Sequence, residues 1–214
     1  MTQPMPWPKV KRPLVAILRG VRPDEVEAIV ETLIDTGYEM IEVPLNSPDP
    51  FDSIARICKR FGGDALIGAG TVLTAEHCAR VADSGGRLMV SPNVDVDVLA
   101  IAARRGMVTM PGVFSPTEAF LALHAGASAL KFFPASILGP SGIAAIRAVL
   151  PATTVVGAVG GVSDNNFSDY IKAGVQAFGL GSSLYKPGMS AAEVKATAQA
   201  SIAAYDRAVV EPNQ

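Results

Sequence analysis

The sequence predicts an α/β protein with one parallel (β/α)8 TIM barrel in a single domain, and three observations carry that prediction. Short apolar runs alternate with amphipathic stretches in eight units along 214 residues, about the spacing a strand and its crossover helix require. Gly37, Gly85, Gly126 and Gly174 each end a helical stretch just before the next apolar run, where a left-handed C-cap is needed. The stretch Ser115-Pro116-Thr117-Glu118 places an N-cap serine, a proline at the first helical position and a glutamate that closes a capping box. A doubly wound open sheet is the competing architecture, but no G-x-G-x-x-G opens a helix after the first strand.

Residues 1–13 are rich in proline and lack an apolar segment; they read as an N-terminal arm rather than a signal peptide. The barrel is expected over residues 14–210, with a tail at 211–214. Its first strand is LVAIL at 14–18, followed by VRPDE, whose acidic residues suit a helix start. The second strand is YEMIEV at 38–43 and the third ALIGAG at 65–70. RLMVS at 87–91 and MVTM at 107–110 follow, and the capping box then opens a helix that ends at Gly126. The sixth strand is ALKFF at 129–133 and the seventh TVVGAV at 154–159, with capping residues in VSDNN after it. AFGLG at 177–181 is the eighth.

One lysine interrupts an otherwise apolar strand. Side chains alternate across a strand, so Lys131 shares a face with Ala129 and Phe133 while Leu130 and Phe132 share the other. The same parity separates Glu42 from Ile41 and Val43. Both charges fall toward carboxyl ends of strands, where barrel active sites are built. A structural ion pair or a snorkelling lysine would also fit. Desolvation would lower the pKa of such a lysine and free its amine for Schiff-base chemistry.

Arg19 ends the first strand and Thr71 the third, so a guanidinium and a hydroxyl could hold a carboxylate; a surface arginine and a turn threonine are the plainer alternatives. The glycine-rich stretches AVGGVS at 158–163 and GLGSS at 179–183 follow strands seven and eight, where barrels often bind phosphate on backbone N–H groups. His77 and His124 sit in separate helical stretches without a second histidine at ligand spacing, which argues against a metal centre. Cys58 and Cys78 suit reduced thiols in a cytoplasmic protein. A formal charge of −2 offers no footprint for nucleic acid, and no run approaches a membrane span.

Taken in order, LVAILRG, IEVPLNSP, LIGAGTVL, SPN, ALKFFPAS, VGGV and GLGSSLY resemble the bacterial 2-keto-3-deoxy-6-phosphogluconate and phosphogalactonate aldolases, and most of all the galactonate branch. The resemblance runs from about residue 12 to 208. It implies a class I aldolase, a lyase without cofactor or metal, in which Lys131 forms the imine and Glu42 is the general acid/base. Arg19 and Thr71 would bind the substrate carboxylate, Pro92 and Phe133 would line the pyruvate pocket, and Gly160, Gly161, Gly181 and Ser182 would bind phosphate. Asn46 and Val159 would also bind substrate, near the C4 hydroxyl that distinguishes the two epimers, since they stand where gluconate-branch relatives commonly carry arginine and threonine. Ser91 departs from the threonine that many relatives have before the Pro-Asn turn. The implied reaction is reversible cleavage of 2-dehydro-3-deoxy-6-phospho-D-galactonate to pyruvate and D-glyceraldehyde 3-phosphate, by a homotrimer. Gluconate-branch or 4-hydroxy-2-oxoglutarate aldolase activity is the near alternative. A phosphosugar isomerase or epimerase, or a non-catalytic phospholigand-binding barrel, is the alternative of another class.

Overall fold

The computed structural model describes residues 5–210; the first four residues of the arm and the tail at 211–214 lie outside the described residues. The strands are β1 Leu14–Ile17, β2 Met40–Pro44, β3 Leu66–Gly70, β4 Leu88–Val90, β5 Val108–Met110, β6 Gly112–Val113, β7 Leu130–Phe132, β8 Val156–Val159 and β9 Ala177–Leu180. Helices α1 Val26–Thr36, α2 Pro50–Phe61, α3 Ala75–Asp83, α4 Val96–Arg104, α5 Pro116–His124, α6 Ala135–Arg147, α7 Phe167–Lys172 and α8 Ala191–Val210 separate and follow them. The strand order is β5-β4-β3-β2-β1-β9-β8-β7-β6, with parallel pairing throughout.

The expected strand at 107–110 is longer than its apolar run and comes in two pieces, β5 and β6, divided at Pro111. Proline has no N–H to give to a ladder, so the strand breaks there. Its carbonyls remain available. The N–H groups of Ala129, Lys131 and Phe133 donate to the carbonyls of Thr109, Pro111 and Val113, while β5 pairs with β4 on the other side. The two pieces therefore act as one strand and close the ring of a (β/α)8 barrel.

Side-chain parity sorts the core into two layers. Val15, Ile17, Met40, Leu88, Val90, Val108, Met110, Ala129, Val159 and Ala177 fill the barrel interior. Leu14, Ala16, Ile41, Val43, Leu130 and Phe132 belong to the larger cluster between sheet and helices. Glu42 alternates with Ile41 and Val43, and Lys131 with Leu130 and Phe132, so both face the interior. At the amino-terminal end Trp7 and Val10 of the arm pack with Leu66 and Val155 against that interior cluster.

Local signals operate largely as their chemistry dictates. Ser115 Oγ accepts from the Glu118 N–H at 3.3 Å and Glu118 Oε2 accepts from the Ser115 N–H at 2.8 Å, completing the capping box. Gly37, Gly85, Gly126 and Gly174 all take positive φ beyond helix ends. Two expected helix starts work differently. At α1 the cap position is Glu25, with no side-chain cap bond, and Asp24 instead pairs with Arg22 at 3.0 Å. At α7 the Asn166 side chain turns back toward the preceding loop rather than capping the helix.

Candidate active site

Glu42 lies on β2 and Lys131 on β7, strands separated in the ring by β1, β9 and β8. Closure of the barrel brings them within electrostatic reach of each other. Both are buried, at 2% and 6% exposure. Burial penalises either charge, so the Glu42 pKa is pushed up and the Lys131 pKa is pushed down, although each charge steadies the other. The Arg19 guanidinium acts on both in a useful sense, favouring the ionised carboxylate and the neutral amine. Burial and Arg19 together shift Lys131 toward its neutral amine, while burial shifts Glu42 toward its protonated carboxyl.

The surroundings explain two glycines. A Cβ on Gly70 would overlap the Glu42 carboxyl group, so the carboxylate can lie across β3 only because residue 70 has no side chain. Glu42 Oε2 is buried without a protein hydrogen-bond partner. On the other side, Lys131 Nζ stands 4.6 Å from the centroid of the Phe133 ring. A Cβ on Gly160 would come within 3.3 Å of that ring, and its absence lets Phe133 sit against the loop after β8.

Thr71 follows Gly70 with φ of 56°, left-handed backbone that costs a β-branched residue about 1–3 kcal/mol. This conformation places Thr71 at the rim beside the strand that supports Glu42. Pro92 follows buried Ser91, whose hydroxyl donates to the Asn93 carbonyl at 2.7 Å. The Pro92 backbone packs on Gly112, which is in register with Lys131. Asn46 Oδ1 accepts from the Arg19 guanidinium at 2.7 Å.

A cleft of about 490 Å³ opens beside these groups. Arg19, Phe133, Val159, Gly160, Gly161, Gly181 and Ser182 line it, so the segments after β1, β7, β8 and β9 meet at one cleft. Lys131, Glu42, Thr71, Pro92 and Asn46 are not part of this lining, although Lys131 stands against the ring of the lining residue Phe133 and Asn46 bonds the lining residue Arg19. Gly160 and Gly161 have φ of 89° and 81°, conformations that turn successive backbone N–H groups in a way side-chain-bearing residues rarely can.

Several contributors were not singled out from sequence. Asn166 Nδ2 donates to the Gly161 carbonyl at 2.9 Å and its Oδ1 accepts from the Ser163 N–H at 3.0 Å, so this asparagine holds the first glycine loop. The Ser183 hydroxyl donates to the Val162 carbonyl at 3.1 Å and ties that loop to the second. Ile17, Val162, Gly179 and Ser183 complete the cleft lining. The only advance signal for Asn166 was the SDNN cluster, whose residues serve equally well as helix caps.

The remaining candidates lie away from the cleft. His77 is in α3, edge-on to Phe51, and His124 is in α5 beside Phe120. Among the described residues no three His, Cys, Asp or Glu side chains form a group able to hold a metal. Cys58 and Cys78 are free, and burial pushes each thiol up to about 11. No helix of the described residues is long and apolar enough to cross a membrane.

A buried amine and carboxyl at the carboxyl-terminal mouth of a (β/α)8 barrel, beside two glycine loops, mark an enzyme class that works on small anionic substrates. Comparison with known proteins defines the class: residues 9–204 match the family model described as KDPG and KHG aldolase, and the chain belongs to that family. It is 62% identical over 202 residues, 94% of this chain and 95% of the other, to a probable 2-dehydro-3-deoxy-6-phosphogalactonate aldolase of Rhizobium meliloti strain 1021. It is 47% identical to the 2-dehydro-3-deoxy-6-phosphogalactonate aldolase of Escherichia coli K12, covering 96% of this chain and 100% of that one. The solved native KDPGal structure superposes with a TM-score of 0.93 at 47% identity, over 96% of this chain and 99% of that one.

Proposed function

We propose that this aldolase cleaves 2-dehydro-3-deoxy-6-phospho-D-galactonate reversibly to pyruvate and D-glyceraldehyde 3-phosphate through a Schiff base on Lys131. The observation that carries the reading is the buried, electrostatically coupled pair Lys131 and Glu42, with Lys131 Nζ against the Phe133 ring that lines the cleft. The two galactonate-named relatives, at 62% and 47% identity, support the branch.

Neutral Lys131 Nζ adds to the C2 ketone; with a proton from the Glu42 carboxyl the carbinolamine hydroxyl leaves as water, and the cationic imine that remains accepts the electrons of the C3–C4 bond as Glu42 becomes a carboxylate. Glu42 Oε2 has no protein partner, which suits a carboxylate acting through a bound water on the C4 hydroxyl. As that proton leaves, glyceraldehyde 3-phosphate departs and the enamine of pyruvate remains. Glu42 then returns a proton to C3, and hydrolysis frees pyruvate and the amine. Arg19 and Thr71 hold the carboxylate; Phe133 and Pro92 flank the pyruvyl carbons; Gly160, Gly161, Gly181 and Ser182 hold the phosphate. No metal or cofactor enters the sequence of steps.

Two further features belong to this reading. Exposed Leu73, Val96, Phe114 and Ile137 follow β3, β4, β6 and β7; a homotrimer that covers them is the assembly in this reading, and sedimentation equilibrium would read it. Two free cysteines suit the cytoplasm. The deciding experiment is incubation with pyruvate and borohydride. A secondary-amine adduct at Lys131, absent from Lys131→Ala, is expected; an unreacted wild type would leave an isomerase or a binding barrel.

A further inference from the structure

The loops after β1 and β2 are tied together twice, at consecutive positions. Arg19 donates from its guanidinium to Asn46 Oδ1 at 2.7 Å, and the next residue, Gly20, donates its backbone N–H to Ser47 Oγ at 2.9 Å. Ser47 is buried, at 7% exposure, although it sits in a surface loop. Gly20 has φ of 83°, and its Cα face lies against the Pro187 ring. This part of the β1 loop is therefore held from two sides, by Ser47 and by Pro187.

We propose that Asn46 and Ser47 form a two-point brace whose task is to position Arg19, so that the carboxylate affinity of the site is set from the β2 loop. A long, flexible arginine loses several rotatable bonds' worth of freedom when it binds an anion, and a side chain held beforehand loses less. The brace supplies that hold. Asn46 Oδ1 orients the guanidinium, and Ser47 fixes the backbone from which the arginine springs. Placement of Arg19 also matters beyond binding, because its charge reaches both Lys131 and Glu42. With Oδ1 accepting from Arg19, the Asn46 NH2 group remains a donor for other partners. Asn46 is thus a positioning residue that acts through Arg19, which deepens the proposed function and rests on it for the nature of the anion.

A double-mutant cycle on borohydride trapping separates the possibilities. Asn46→Ala is expected to raise the pyruvate concentration for half-maximal trapping about five- to tenfold, the size of one solvent-exposed hydrogen bond, with the saturated yield unchanged. The same change in an Arg19→Ala background should have almost no further effect, because the residue it positions is gone. Ser47→Ala should weaken pyruvate in the same direction, and Ser47→Thr, which keeps the hydroxyl, should restore it. Multiplying effects of Asn46→Ala and Arg19→Ala would overturn the brace, since Asn46 would then act on the ligand itself. Unchanged half-saturation in both Asn46→Ala and Ser47→Ala would overturn it as well. A side-chain NMR measurement stands apart from the reaction: slowed rotation of the Arg19 Nη groups in the wild type should be lost in Asn46→Ala. If the wild type traps no pyruvate, the proposed function falls, and this NMR comparison still decides the brace.

Discussion

At its amino-terminal end the barrel is closed by apolar groups, with Trp7 and Val10 of the arm against Leu66 and Val155. At its carboxyl-terminal end Lys131 and Glu42 are buried beside an open cleft, and glycines replace side chains where loops must approach them. The two ends share one continuous set of strands. Their difference shows how the fold divides its tasks: burial of carbon at one end supplies stability that desolvated charge at the other end draws down. Thr71 in left-handed backbone is a further cost at the end that carries the cleft.

The comparison is broken most severely by changing the charged end. Glu42→Gln should lower kcat by roughly 10² with a smaller change in KM, and should slow exchange of the pyruvate methyl protons. The same substitution should reveal what the buried carboxyl costs. Because burial raises the Glu42 pKa, the native chain binds more protons than the unfolded chain from the ordinary carboxylate range upward. Wild-type stability from this group is therefore present at low pH and lost as pH rises through the raised pKa. Urea unfolding across that window should show the fall in wild type and its loss in Glu42→Gln. Methyl exchange at the wild-type rate would move the acid/base role elsewhere.

Bulk in the glycine wall should have the next largest effect. A Cβ on Gly161 would strike Ser136, and residue 161 already has φ of 81°. Gly161→Val is expected to raise KM for the phosphorylated substrate about 10- to 100-fold, while pyruvate trapping changes less than about twofold. Equal losses for both ligands would point to a folding defect rather than a phosphate loop. A smaller effect should come from Val159, which lines the cleft at 5% exposure. The wild type should favour the galactonate epimer in kcat/KM. Val159→Thr, which keeps the shape and adds a hydroxyl, should shift the ratio about fivefold toward the gluconate epimer. A wild-type preference for the gluconate substrate would reverse the branch and leave the imine chemistry untouched.

The opposite end should answer in the opposite sense. Trp7→Ala is expected to reduce unfolding free energy by about 1–3 kcal/mol through lost packing, with kcat/KM changed less than about twofold. Denaturation and steady-state rates on one preparation would check both halves. A large loss of activity without loss of stability would mean the ends are not independent.

Much of this design was legible from residue order alone. Strand alternation placed Lys131 and Glu42 on inward faces, and left-handed glycines marked helix ends, because both signals depend on backbone geometry within a few residues. The glycine-rich turn after the seventh expected strand was legible for the same reason, and Gly160 and Gly161 do take left-handed φ there. Other features needed the closed ring. Pro111 looked like the end of a strand, yet its carbonyl continues the ladder to Lys131 because the partner strand comes from elsewhere in the chain. Gly70 reads as one more strand glycine until the Glu42 carboxyl is found lying on it. Asn166 suits a helix cap or a loop clamp equally, and only the nearby Gly161 carbonyl decides between them. The division follows the range of the interactions: local dihedral and parity constraints are written in neighbouring residues, whereas contacts between distant segments, and the pKa shifts that burial imposes, exist only once the chain has closed on itself.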